Sequence, residues 1–501
     1  MDNRQLTVLS RRRFLTYLGI GAGVAAGAIA FDANRLPALA DTLASSTGKV
    51  HSYTFDPAPA HISLGKQTVS TWAYNGVLPG PEIRVNVGDT IRATVKNHLS
   101  TDTTMHWHGL PIPNAMDGIP YVTQAPINAG QTFLYDFVVP VSGTYWYHSH
   151  VGLQLDRGLY GPLIVEDPRE TKNYDQDVVL VLDDWLDGVP GGPGTPDAEY
   201  QKLVAAGKSM SGKGMSGMGG MSGSGHMQMK KQGSMTADIN DVIYPYYLVN
   251  GKTSDNPYEI TVKKGQRIRL RFINAGASTI FRLALNGHKM IVTHTDGQAV
   301  DPVEVDTLRI GMGERYDVLI TANNPGVWQL AAQVDGTNYL ARALMRYQGS
   351  TATAPSATFL PPELKQKQLT YAMLKVASGV PIPPSGQPAQ MPVALSGSMA
   401  PYVWEMNNQI YPEASKIAVQ KNRLVQFQFN NQTMMPHPMH LHGHFFQLDN
   451  GTGRGPMKDT VLVDPMQKMN VTWFSDNPGQ WAFHCHNDYH MKAGMFRVVS
   501  V

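Results

Sequence analysis

The sequence predicts an all-β protein made of three consecutive Greek-key β-sandwich domains, and three observations carry that prediction. Glycine (48) and proline (34) are spread along the 501 residues, while amphipathic helical stretches are few. Frequent turns between short alternating runs mark sandwiches and barrels. A single theme also recurs: residues 81–95 form an alternating run, a tight turn and a second alternating run. Residues 258–272 repeat it, and residues 415–429 give a fainter copy. Finally, each copy is followed downstream by a glycine two positions before an aromatic: Gly143 and Tyr145, Gly326 and Trp328, Gly479 and Trp481. These glycines stand 183 and 153 residues apart, the spacing of whole domains.

Taken in order, the chain begins with Ser10, Arg11, Arg12, Arg13, Phe14 and Leu15 ahead of a Gly/Ala-rich apolar run over residues 17–30. Ala38, Leu39 and Ala40 offer a small-residue cleavage site. The pattern resembles a twin-arginine export signal, and the run is too short and weakly apolar to span a bilayer well. Residues 1–40 are therefore read as a leader recognised by the twin-arginine machinery. The mature protein is expected in the periplasm without a permanent membrane anchor.

The three domains are placed at residues 49–167, 174–347 and 363–501, with a Ser/Thr/Ala/Pro-rich linker before the third. The second carries an insert over residues 188–241. It holds Met210, Met215, Met218, Met221, His226, Met227, Met229 and Met235 among Gly, Ser and Lys. With few other apolar residues, the insert is expected to lack a core and to be mobile.

Composition excludes several classes. A formal net charge of +2 leaves no basic footprint for nucleic acid. One cysteine rules out an intrachain disulfide, and a chain of this length buries enough core without one. Nothing in the sequence demands more than a monomer.

That one cysteine, Cys485, stands between His484 and His486, with His490 and Met495 following. A Cys, a His and a more distant Met, completed by a second His from elsewhere, are the ligand types of a blue-copper electron-transfer site. On a strand, alternation turns Cys485 to one face and both flanking histidines to the other. One short peptide then holds metal on both faces.

The His-x-His spacing occurs four times: His106/His108, His148/His150, His440/His442 and His484/His486. Both imidazoles of such a pair share a strand face. The first and third domains each carry two pairs, 40 and 42 residues apart respectively, so the same positions of one repeat are used twice. The second domain has none; His288 and His294 are isolated and read as structural or surface residues. Eight imidazoles are too many for one metal and suit three.

These four motifs resemble those of the three-domain multicopper oxidases, a family of cupredoxin-like β-sandwich/barrel domains that includes laccases and metallo-oxidases. The resemblance implies four coppers. It implies a type 1 copper on His437, Cys485 and His490 with Met495 as weak axial ligand, and a type 2 copper on His106 and His440. A type 3 pair would sit on His108, His148, His150, His442, His484 and His486. His444 falls outside the pattern. The resemblance also implies acidic residues: Asp117 beside the type 2 copper, Asp488 near the type 3 pair, and Asp459 near a type 1 histidine and the donor site. The expected reaction couples one-electron oxidation of a donor to reduction of O2 to water. The leader, residues 489–497 and the Met-rich insert together resemble the bacterial copper-resistance and laccase-like branch of that family, and the insert's thioethers suit Cu(I), so Cu(I) is the favoured donor. Phenols or aromatic amines are the alternative, and copper sequestration is a third reading.

Overall fold

The computed structural model describes residues 48–211 and 241–501, apart from the side chains of residues 209–211. The expected leader over residues 1–40 lies outside the described residues. So do Met215, Met218, Met221, His226, Met227, Met229 and Met235, and the side chain of Met210.

The predicted repeat is visible as repeated topology. In the first unit, a sheet orders the strands Ile83–Asn86, Tyr160–Glu166, Gly143–His148 and His106–His108 side by side. In the second, Tyr258–Val262, Leu340–Tyr347, Val327–Val334 and Phe281–Leu285 occupy the same order, extended by Thr307–Ile310. In the third, the corresponding strands are Ile417–Ala418, Phe496–Ser500, Gln480–Cys485 and His437–Leu441, extended by Thr460–Val463. A second sheet faces each of these; its central strands include Thr90–Lys96, Arg267–Asn274 and Leu424–Asn431. The expected turn between the two alternating runs of each copy is where the chain passes from one sheet to the other.

Alternation fixes which side chains meet between the sheets. Along Leu424–Asn431 every second residue is buried, the period of a strand with one face on the core. Phe427 from this strand stacks on Phe483 of the facing sheet at 4.7 Å and 22°. Fully burying a side chain of this size contributes about 1.5–3 kcal/mol. Because Phe483 points at this core, alternation turns Cys485 to the same side and His484 to the other.

Register then aligns the metal-ligating motifs. His106 lies opposite His148 across the first sheet, and His440 opposite His484 across the third, with Met439 opposite Cys485. The matching strands of the second unit pair Phe281 with Val334 and Leu283 with Ala332: the same architecture, filled with apolar side chains.

The insert departs from expectation. Its first part forms a helix, Pro196–Ser211, rather than a segment without packing. The Thr195 hydroxyl accepts from the Ala198 amide at 3.2 Å, Asp197 and Glu199 lie in the first turn, and both suit a helix N-terminus. Tyr200, Leu203 and Val204, at helical spacing, pack against the core. Among the described residues, no helix is long and apolar enough to cross a membrane.

Candidate metal centre

The four His-x-His pairs converge on one buried pocket between the first and third units. Three-residue groups with ligand atoms within 4.8 Å of one another are His108, His148 and His486; His150, His442 and His484; and His106, His108 and His440. All eight histidines are at most 6 % exposed.

Hydrogen bonds at one ring nitrogen leave the other bare. Nδ1 of His106 lies 2.8 Å from the Asp117 carbonyl, and Nδ1 of His440 lies 2.9 Å from the Asp459 carbonyl. Nδ1 of His148 lies 2.9 Å from the Ser149 carbonyl. In each case an N–H donated there leaves Nε2 as the lone pair, and those three Nε2 atoms are buried without a partner. His108 is reversed. Its Nε2 lies 3.1 Å from Asp459 Oδ1, and its Nδ1 is the buried atom without a partner. His442 Nε2 and His150 Nε2 both approach His484 Nε2, at 3.0 and 3.3 Å. Neutral imidazoles with inward lone pairs are what a cationic metal requires. Burial, followed by the neighbouring charges, pushes the pKa values of His108, His148, His150, His442, His484 and His486 well below the usual histidine range.

Beyond Cys485 lies a separate triad. His437 Nδ1 and His490 Nδ1 face each other at 3.0 Å, and Cys485 Sγ is 3.7 and 3.6 Å from them. Three donors crowd a single point, all fully buried. Of the far nitrogens, His437 Nε2 is hydrogen-bonded with Thr433 Oγ1 at 2.9 Å, and His490 Nε2 lies 2.6 Å from Asp241 Oδ2 without hydrogen-bond geometry. Burial pushes the Cys485 thiol pKa up, so a bound metal has to displace its proton. Met495 is buried, and its carbonyl accepts from the Cys485 amide at 3.1 Å. The donor sets fit copper in both places: imidazoles with a thiolate in the triad, imidazoles alone in the pocket.

The expected acids are distributed unevenly. Asp117 lies at the pocket, with Oδ2 3.1 Å from His442 Nδ1 and Oδ1 3.3 Å from His106 Nδ1. Asp488 is buried at the start of the short helix Asp488–Lys492. Burial, then the charge of Asp184, pushes its pKa well up. Asp459, expected beside a type 1 histidine and the donor, lies instead against His108. Register is the reason. Thr460 pairs with His440, whereas Val463 pairs with His437, so Asp459 falls at the pocket end of the strand. Its carboxylate takes two bonds from Arg315, at 2.7 and 2.5 Å. Although burial alone would raise its pKa, the guanidinium holds it well below the usual range.

Three partners were not anticipated: Arg315, Asp241 and Thr433. Arg315 opens the strand Arg315–Thr321 and is wholly buried; with Glu314 and Asp317 beside it in the sequence, local pattern alone did not mark it as buried. Its Nε also donates to the Thr144 carbonyl at 3.0 Å, so this one side chain from the second unit ties the first to the third. Glycine permits the crowding. A Cβ at Gly109 (φ +88°) would stand 2.4 Å from Arg315 and 2.7 Å from Asp459. His444, outside the ligand pattern, is packed against Trp473 and Trp481. His288 is held by Tyr347 at 2.8 Å.

Three cupredoxin-type sandwiches, with an imidazole pocket between the outer two and a Cys–His–His triad joined to it by one tripeptide, define a copper-dependent oxidoreductase. The chain belongs to the multicopper oxidase family, whose models match residues 58–170, 222–350 and 383–501. The chain is 42 % identical over 498 residues to multicopper oxidase MmcO of Mycobacterium tuberculosis, covering 97 % of this chain and 96 % of that protein. Copper resistance protein A of Escherichia coli is 29 % identical, with 98 % and 99 % covered. Among solved structures, the laccase from Botrytis aclada superimposes with a TM-score of 0.74 at 25 % identity, over 91 % of this chain and 88 % of that one. Fet3p, a multicopper oxidase that functions in iron import, has the same fold, with a TM-score of 0.74 at 24 % identity over 90 % of each chain.

Proposed function

We propose that this protein takes electrons singly from Cu(I) at the His437–Cys485–His490 triad and delivers them to the eight-histidine pocket, where O2 is reduced to water. The observation that carries the reading is the tripeptide His484, Cys485, His486, which contributes to both sites. In this assignment Met495 would add a weak thioether donor to the triad, His106 and His440 would hold the type 2 copper, and the other six pocket histidines would hold the type 3 pair.

The coppers, when bound, supply the one-electron and O2 chemistry. The chain supplies ligation, orientation and protons. Cys485 Sγ and its backbone give electrons a covalent route from triad to pocket. Asp117 and the carbonyls of Asp459 and Ser149 hold Nδ1 protons in place, fixing which nitrogen faces the metal; partners of this kind set ligand orientation and basicity. Asp488, buried two residues beyond His486, is the acid assigned to carry protons on that side of the pocket. Asp241 is the carboxylate nearest the triad's outer edge. It suits a cationic donor, and it replaces Asp459 as the acid at the donor side.

The Cu(I) reading is supported by the kinship to copper resistance protein A and by the methionines of the insert. The laccase reading is supported by the likeness to laccases and by Asp241, which is equally able to take a phenolic proton. O2 consumption separates the readings. Deleting residues 212–235 is expected to raise KM for Cu(I) about tenfold, the loss of about 1.4 kcal/mol of donor capture, with phenol oxidation level or faster. Equal losses for both donors would overturn the Cu(I) reading in favour of a general laccase, and a copper-loaded protein that consumes no O2 with either would leave sequestration.

We propose periplasmic export by the twin-arginine route from the Arg11–Arg13 run. Replacing Arg11, Arg12 and Arg13 together by Lys is expected to strand precursor in the cytoplasm. An unchanged periplasmic yield would show that another route is used.

A further inference from the structure

A line of oxidisable rings runs from the protein surface to His490. Tyr200, on the Pro196–Ser211 helix, is partly exposed. Its ring centroid lies 6.1 Å from that of Tyr402, Tyr402 lies 6.0 Å from Trp404, and Trp404 lies 4.1 Å from the His490 imidazole at 36°. Exposure falls inward along this line: Tyr402 6 %, Trp404 1 %, His490 0 %. Packing alone asks only for apolar rings here. Tyrosine and tryptophan at all three positions are the side chains most readily oxidised by one electron. The Tyr402 hydroxyl donates to Asp241 Oδ2 at 2.8 Å, which holds its ring in the line.

The triad itself is closed to large donors, since His437, Cys485 and His490 are fully buried and Asp241 covers the outer nitrogen of His490. We infer that Tyr200 is a second, surface oxidation site for phenolic donors too bulky to reach His490, connected inward through Tyr402 and Trp404. This rests on the reading of the triad as the electron-accepting copper site.

The step balances as follows. One electron leaves Tyr200 and passes by way of the Tyr402 and Trp404 rings towards His490, with no net change of protonation at Tyr402, and the Tyr200 phenolic proton is released to water. One electron and one proton from the donor phenol restore Tyr200, leaving a donor phenoxyl radical. The electron is consumed by the protein's own oxidase activity. Lys492 lies beside this surface ring, its Nζ 5.2 Å from the Tyr200 centroid and 3.0 Å from Asp197 Oδ1.

The test uses the full, copper-loaded chain and two probes: free syringate, and a dextran bearing syringyl groups. Anaerobic stopped-flow follows bleaching of the thiolate-to-copper absorption. Tyr200→Phe keeps the ring and removes the oxidisable phenol. It is expected to slow bleaching by the dextran about tenfold or more while leaving free syringate within about twofold. During aerobic turnover with a nitroxide radical trap, mass spectrometry should find the adduct on Tyr200, and Tyr402→Phe should abolish it. Equal dextran rates in wild type and Tyr200→Phe, no dextran oxidation by wild type, or no adduct on Tyr200 would each overturn the relay. If no thiolate-to-copper band forms at all, the reading of the triad falls, and the relay with it.

Discussion

Cys485→Ser is expected to abolish the intense blue thiolate-to-copper absorption and to reduce turnover to background, while about three of four coppers remain bound. The prediction follows from where the sulfur sits. Cys485 Sγ lies 3.7 Å from His437 Nδ1 and 3.6 Å from His490 Nδ1, and a serine hydroxyl is a harder, poorer ligand for Cu(I) and Cu(II) alike. The pocket keeps all eight imidazoles, because His484 and His486 point to the opposite face and their backbone is unchanged. Serine is smaller than cysteine but close in shape. Its hydroxyl enters an apolar setting at a cost of about 1–3 kcal/mol, which a chain with three packed cores tolerates. Copper content by mass spectrometry, the visible spectrum and O2 uptake measure the three effects separately. A blue band that survives the substitution, or zinc filling the sites after copper-replete expression, would overturn the assignment.

The sequence made the fold and the donor groups legible for a simple reason: both depend on short-range periodicity. Alternation at period two shows which residues share a face, so the His-x-His pairs and the inverted Cys485 could be placed on strands before any strand was seen. Partners brought together by long-range pairing were not legible. Asp459 was assigned to the wrong end of its strand because only the register against His437–Leu441 decides whether it meets His437 or His440. Asp241 was hidden at the edge of the Met-rich insert, where composition signals a tether and says nothing of a carboxylate 2.6 Å from His490. The helix Pro196–Ser211 was missed through the same averaging. The glycines and serines that follow it diluted a local pattern of Thr195, Asp197 and three apolar residues that marks a helix start.

The largest stability effect is expected at Arg315. Its guanidinium is fully buried, takes both oxygens of Asp459 and reaches the Thr144 carbonyl. Close by, Lys458 is buried between Asp296 and Glu314, at 3.1 and 3.0 Å. Two cations thus face three carboxylates away from water. Burial, with the Asp459 charge also contributing, already pushes the Asp296 carboxyl up to about 6, even with Lys458 opposing. Arg315→Ala removes one cation and strands Asp459, and breaking a buried pair at one partner costs about 3–5 kcal/mol. The site can lower that cost by protonating Asp459, but a protonated carboxyl is a weaker acceptor for the His108 Nε2–H. His108 then loses the bond that fixes Nδ1 towards the pocket. The variant is therefore expected to unfold at a lower temperature and to lose pocket copper, while the triad and its blue absorption persist. Arg315→Met with Asp459→Asn distinguishes the two effects. With both charges gone, much of the stability should return, yet pocket copper should stay low because an amide does not replace the carboxylate at His108. Full copper occupancy in Arg315→Ala, or full recovery of pocket copper in the double variant, would show that the ion pair braces the domains without orienting the ligand.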